Sequence, residues 1–279
     1  LTFLDGVKRG ETVMVALYEC AYFDILDKLR TLRERGATVR ILVHAQMTWS
    51  KTERNFNKSG SSMQNIASLV HTGLFPHKDT TLRRISGTYH HCITDFSETR
   101  THKHEHTGQS HNKFFLHLNS KDEPLKMWSG SANLSASAFF GQFNLAHIIH
   151  GHSKYTKDLL RRYRDYWEVL LKDTQNERDV SKTKLKALKS RCDELSKSTP
   201  VKCALCPQSD LQILNLFADL IRNAKQAVFL SVPFWLHDVI GNAILGLSDG
   251  TKWPNAVPNC FAHNEPCILS RSSKSGRVY

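Results

Sequence analysis

The 279-residue chain has a formal net charge of +12, with 40% hydrophobic and 23% charged residues, and a pI near 9.4. That balance fits a folded globular protein of one large domain or two smaller ones. It also excludes a transmembrane helix, since no run approaches the roughly 18 apolar residues a span requires. So much positive charge calls for an anionic partner, either nucleic acid or an acidic lipid surface.

The N-terminus shows no basic segment followed by an apolar core and a cleavage site, so no signal peptide is read there. A chain opening on Leu1, within a helical pattern, reads as truncated or processed. Residues 11–18 (ETVMVALY) predict a buried strand, 23–36 an amphipathic helix, and 38–45 (TVRILVHA) a second strand. Strand, helix and strand in that order make a βαβ unit with parallel pairing. A helix is expected over 61–73 and a short strand near 81–86, before a polar, loop-like stretch from 95 to 110. That stretch holds His102, His104 and His106 in alternation, which reads as an exposed loop rather than a metal site.

Two apolar strands follow, 112–118 and 125–129, joined by the turn-rich Asn-Ser-Lys-Asp-Glu-Pro. A third strand is expected over 143–150. After it, Leu159, Leu160, Tyr163, Trp167, Leu170 and Leu171 recur at helical spacing, predicting a helix over about 153–173 with one buried stripe. Residues 151–200 carry thirteen Lys/Arg against eight Asp/Glu, most simply a solvated face laced with ion pairs.

Residues 221–234 (IRNAKQAVFLSVPF) can be laid on 7–20 (VKRGETVMVALYEC), a helix end, a polar corner and an apolar strand in each. The expected organisation is therefore a first repeat over 1–175, a charged linker helix over 176–205, and the start of a second repeat over 206–279. A full second copy would place its own equivalent of residue 111 at about position 325, beyond Tyr279, so this unit reads as cut off. Seven scattered cysteines suit a reducing compartment, hence a cytoplasmic location. Cys203 and Cys206 have zinc-ligand spacing, but Cys260, His263 and Cys267 are only a loose second set.

The residues with chemistry are His111-Asn-Lys113 and, one hairpin later, Gly130-Ser131-Ala-Asn133. His111 and Lys113 fall on one face if the segment is a strand. One imidazole, one fixed positive charge, a hydroxyl and an amide are the groups needed to handle a phosphodiester. The bland account is polar residues on a strand's outer face for His111 and Lys113, and turn chemistry for Ser131 and Asn133.

His-x-Lys followed by Gly-Ser-x-Asn resembles the phospholipase D superfamily, in particular a bacterial branch with two repeats. His-Asn-Lys-Phe, Trp-Ser-Gly-Ser-Ala-Asn, Gly-Gln-Phe-Asn-Leu-Ala-His-Ile-Ile, the downstream Tyr-Trp and the Cys-Pro-Gln-Ser-Asp-Leu-Gln-Ile-Leu opening carry the likeness. It implies an α/β fold with a mixed sheet flanked by helices, in pseudo-symmetric repeats. It implies hydrolysis of a phospholipid or nucleic-acid phosphodiester without metal or other cofactor. His111 would attack phosphorus and form a phosphohistidine, while Lys113 and Asn133 grip the phosphoryl oxygens and Ser131 helps hold the phosphate. A second histidine, from the other repeat, would protonate the leaving oxygen.

Two departures stand out. Leu118 occupies the position five residues after the lysine where many members have aspartate. The glutamate that often orients the histidine is also missing, its stretch offering Gln142, Asn144 and His147 instead. Two other functions therefore compete: a non-catalytic half-site that binds phosphate or nucleic acid, and a nuclease active only as a homodimer in which each copy donates one His111.

Overall fold

The computed structural model describes residues 2–44, 47–50, 55–58, 60–83, 111–173, 203, 205, 211–230 and 236–246. The predicted loop over 95–110, the linker over 176–202 and the distal cysteine set lie outside the described residues. The chain divides into two compact units, Leu1–Pro207 and Gln208–Tyr279.

The first unit is built on a six-stranded mixed sheet. Its strands are β1 (Thr12–Leu17), β2 (Thr38–His44), β5 (Thr80–Arg83), β6 (Lys113–Leu118), β7 (Pro124–Gly130) and β8 (Ala146–His150). They are ordered β5-β2-β1-β6-β7-β8. β1 pairs in parallel with β2 and β2 with β5, as the βαβ reading requires. β6, β7 and β8 then join antiparallel, one after another. A separate antiparallel pair, β3 (Met47–Ser50) and β4 (Asn55–Lys58), has no counterpart in the sequence reading.

Every residue of β1 is buried, because this central strand is covered on both faces and has no solvent side to alternate with. On one face Val13, Val15 and Leu17 pack with Phe115, with Leu26, Leu29 and Leu32 of helix α2 (Phe23–Glu34), and with Leu69 of helix α3 (Gly60–His71). Phe3 and Leu4 of the short helix α1 (Thr2–Asp5) close that side. On the other face Met14, Ala16, Phe114, Leu116 and Met127 meet Leu160, Tyr166, Trp167, Val169 and Leu170 of helix α5 (Lys154–Asp173). The helical stripe thus falls where its period puts it, widened by Tyr166 and Val169. The Trp167 indole N–H donates to the Val15 carbonyl at 2.9 Å, so this large ring is buried without stranding its polar atom.

Between β7 and β8 lies a short helix, α4 (Ala136–Phe140), not anticipated from sequence. It ends before the stretch expected as strand, and β8 begins at Ala146 rather than 143. In the second unit, helix α6 (Gln212–Asn223) packs against α7 (Asp238–Leu245) through Ala218, Ile240, Ala243 and Ile244. Residues 227–230, expected as an apolar strand, form none. Phe229 is 91% exposed. A strand needs a partner for its backbone groups, and no strand is present among this unit's described residues.

The end of the sheet that carries Thr12 and Leu118 holds an internal polar pair. His117 is 3% exposed, and its Nε2 lies 2.8 Å from Glu11 Oε2. The carboxylate accepts also from the Lys8 backbone N–H at 2.7 Å. His117 Nδ1 is buried and has no hydrogen-bond partner among the described residues. Neutral His117 donating from Nε2 satisfies the carboxylate, whereas protonation would place a second N–H where nothing accepts it. Burial lowers the His117 pKa, against the pull of Glu11, with Lys126 adding repulsion. Burial acts to raise Glu11, but the Lys8 amide and His117 outweigh it and lower its pKa.

Both groups thus bind protons more weakly folded than unfolded, so their contributions are complete above their unfolded values and lost on acidification. The loss should begin as pH falls through the ordinary histidine value of 6.5 and continue through the carboxylate range. Urea midpoints measured from pH 8 to pH 4 should show this decline. His117→Gln, which keeps a donor toward Glu11, should remove the part between pH 7 and 5.

Candidate functional site

Because β6 runs antiparallel to β1, the start of one lies beside the end of the other, with Leu17 opposite Lys113. β7 returns so that Phe114 faces Ser129, which brings Gly130 level with Lys113, and Gly130 faces Ala146 at the start of β8. The loop after Gly130 is stitched to the end of β1. The Leu134 N–H donates to the Glu19 carbonyl at 3.2 Å, and the Ala21 N–H to the Leu134 carbonyl at 2.7 Å. All four sequence-predicted residues, His111, Lys113, Ser131 and Asn133, therefore gather at one end of the sheet.

Lys113 is 6% exposed, and its Nζ donates to the His111 carbonyl at 3.2 Å. Burial brings its pKa down to about 8, with the negative charge of Glu19 partly opposing. It remains a cation at neutral pH, one poorly hydrated and therefore effective on a phosphoryl oxygen. His111 precedes the strand and is solvent-accessible on one side. Crowding on its other side, then the Lys113 charge, lowers its pKa. The imidazole is thus neutral near pH 7, the form that can attack. Asn112 between them points its amide oxygen away, accepting from the Tyr166 hydroxyl at 3.1 Å.

Ser131 is held by its neighbours across the turn. Its N–H donates to the Leu145 carbonyl at 2.9 Å, and its hydroxyl donates to Asn144 Oδ1 at 2.9 Å and accepts from the Leu145 N–H at 3.0 Å. Asn133 Oδ1 is buried without a hydrogen-bond partner among the described residues. Gly130 is a packing requirement: a Cβ there would lie 2.6 Å from both the Ala146 Cβ and the Leu145 carbonyl oxygen. Gly130→Ala should push β8 off the sheet edge, costing about 1–3 kcal/mol, read as a lowered melting temperature.

The candidates for orienting His111 resolve differently. Asn144 is spent on Ser131 and, through Nδ2, on the Ala138 carbonyl at 2.8 Å. His147 faces Ser129 in the ladder, on the face opposite Lys113 and Gly130. What contacts His111 instead is Tyr18, its ring centroid 4.5 Å from the imidazole. Tyr18 in turn packs on His44, at 5.0 Å. Tyr18, Glu19, His44 and Asn65 carry no motif; the only available signal was the place of Tyr18, Glu19 and His44 at or just past apolar strand ends, and Asn65, inside α3, offered none.

Among the described residues no cluster of three or more His, Cys, Asp or Glu side chains could hold a metal ion, and no helix is long and apolar enough to cross a membrane.

No family model matches the chain, and no curated protein matches it. Among solved structures, NucT from Helicobacter pylori aligns over 62% of this chain and 84% of its own, at 16% identity and a TM-score of 0.41. Nuc from Salmonella typhimurium, described as a phospholipase D family member, aligns over 60% and 83%, at 17% identity and a TM-score of 0.36. The chain is similar to a phospholipase D family member. At these values neither alignment bears on chemistry, which follows from the site's own residues.

Two titrations bound the protonation state that phosphodiester chemistry here would require. Were His111 to attack and Lys113 to bind a phosphoryl oxygen, kcat/KM should fall on acidification only below pH 6.5 and fall on the alkaline side near pH 8. Lys113→Arg, whose guanidinium does not titrate in this range, should lose the alkaline limb in whatever activity it retains. A pH series with a chromogenic phosphodiester measures both.

Proposed function

We propose that the chain is a phosphodiesterase of the phospholipase D type. One observation supports this: strand register brings a buried lysine, a hydroxyl- and amide-bearing turn and an accessible imidazole to the same end of the sheet. A phosphodiester resists attack because its oxygens are negative. Lys113 and the Asn133 Nδ2 would draw that charge off as the pentacovalent transition state forms. His111 would bond to phosphorus while the ester oxygen leaves with a proton from a second histidine. Water would then displace His111 from the phosphohistidine. The second histidine would come from the other repeat or another copy. In this unit His44 and His111 both pack on the Tyr18 ring, at 5.0 and 4.5 Å. The domain scheme of a first repeat over 1–175, a linker over 176–205 and a second repeat from 206 belongs to the same proposal.

The exposed rim beside the site favours a phospholipid over a nucleic acid as substrate. Phe140 is 77% exposed, Phe143 88%, Leu145 64% and Ile148 50%, and residues 139–148 contain no Lys or Arg. An enzyme of lipid interfaces needs apolar side chains at its mouth, whereas a nuclease needs a basic groove. The same rim would suit a second copy of the chain, which is the specific observation favouring the homodimer.

The test is turnover of bis(4-nitrophenyl) phosphate, with a quench for acid-labile phosphohistidine. His111→Ala is expected to lose on the order of 10³-fold or more in kcat/KM. A wild type that binds inorganic phosphate yet neither turns over nor forms the adduct would establish a binding module instead. Phe143→Asp should release the protein from phosphatidylcholine vesicles if the rim meets lipid. Should it abolish a dimer seen in light scattering and leave vesicle binding intact, the rim is a subunit interface.

A further inference from the structure

His111 lies outside the strand ladder; of the residues expected to orient it, Asn144 is engaged elsewhere, His147 is on the other face and Gln142 is exposed. Tyr18 fills that role geometrically. Its ring meets the His111 imidazole at 4.5 Å with an interplanar angle of 57°, and the Lys113 Nζ lies 5.3 Å from the same ring's centroid. One aromatic surface thus touches both groups of the His-x-Lys pair. The ring of buried His44 also packs on it, at 5.0 Å.

Tyr18 is itself held by a side chain distant in sequence. Asn65 of α3 is 1% exposed. Its Nδ2 donates to the Tyr18 carbonyl at 2.7 Å and to the His44 carbonyl at 2.9 Å. Its Oδ1 accepts from the Cys20 N–H at 2.7 Å. Three backbone groups at or just past the ends of β1 and β2 are thereby tied together by one amide. The chain around Tyr18 cannot swing without breaking buried hydrogen bonds.

We propose that Tyr18, fixed by Asn65, is the positioning residue for His111 and Lys113, setting the plane of the imidazole by contact in place of a carboxylate. This rests on the phosphodiesterase reading for its effect on rate, but not for its effect on geometry. The ring face, not the hydroxyl, does the positioning. An imidazole free to turn would lose the alignment with phosphorus that an intramolecular attack requires. The ring's negative face also favours the charged form of Lys113 against its burial.

The experiment compares Tyr18→Phe with Tyr18→Leu by kinetics on bis(4-nitrophenyl) phosphate and by NMR of the His111 ring protons, assigned by their loss in His111→Gln. Tyr18→Phe should keep kcat within about threefold and preserve the ring-current shift of His111. Tyr18→Leu should lower kcat by about tenfold to a hundredfold with KM little changed, and the His111 protons should relax toward free-histidine positions. Should Leu not fold there, Tyr18→Met provides the same loss of ring. Unchanged kcat or unchanged His111 shifts in the ring-less variant overturn the proposal. If the wild type shows no turnover, the phosphodiesterase reading fails, while the His111 side-chain rotamer populations, read from NOEs and three-bond couplings in wild type and Tyr18→Leu, still decide the role of Tyr18: unchanged populations overturn it.

Discussion

The arrangement depends on the antiparallel pairing of β6 against a β1 whose other neighbour is parallel. Parallel strands β1, β2 and β5 all finish at the same edge. A fourth parallel strand would have started at the far side and left His111 remote from the ends of the others. Reversal of β6 makes its first residues neighbours of the last residues of β1, with Leu17 set against Lys113. The short β7–β8 excursion then needs only to come back once to deliver Gly130, Ser131 and Asn133. Backbone hydrogen bonds thus solve a problem of placement over a sequence separation of about a hundred residues.

Burial decides the character of that edge. Lysine is rarely found inside unless something compensates for its lost hydration. Here the His111 carbonyl, the Tyr18 ring and the charge of Glu19 provide part of the compensation. The remaining deficit would be relieved by an anion entering from solvent. Ser131 and Asn144 show the complementary case, polar side chains already satisfied by one another and so rigid before any ligand arrives.

Much of this was readable from the residues alone, for reasons visible strand by strand. Thr12–Leu17 and Lys113–Leu118 are buried on both faces, so their apolar residues do not alternate with polar ones and only Thr12, Lys113 and His117 interrupt them. The α5 stripe follows from period, and His111, Lys113, Ser131 and Asn133 from spacing. Local sequence was silent where structure came from contacts that no pattern announces. MTWS and NFNK, close together in the chain, form a strand pair by facing each other, with neither segment carrying a recognisable pattern. Tyr18 and Asn65 are 47 residues apart and meet only because α3 crosses the ends of two strands. Residues 227–230 erred in the other direction: apolar, β-branched composition does not make a strand without a neighbour to pair with.

The His117–Glu11 pair sits at one end of β6 and His111–Lys113 at the other, both on residues of a single six-residue strand or its flank. The pH range in which the molecule survives and the pH range in which its site is charged correctly are therefore set by different side chains, separated by the length of a strand. Sites farther apart than about 10 Å usually respond to substitution independently. A working range could then be moved toward acid by refitting the far end alone, leaving the chemistry-bearing edge as it stands.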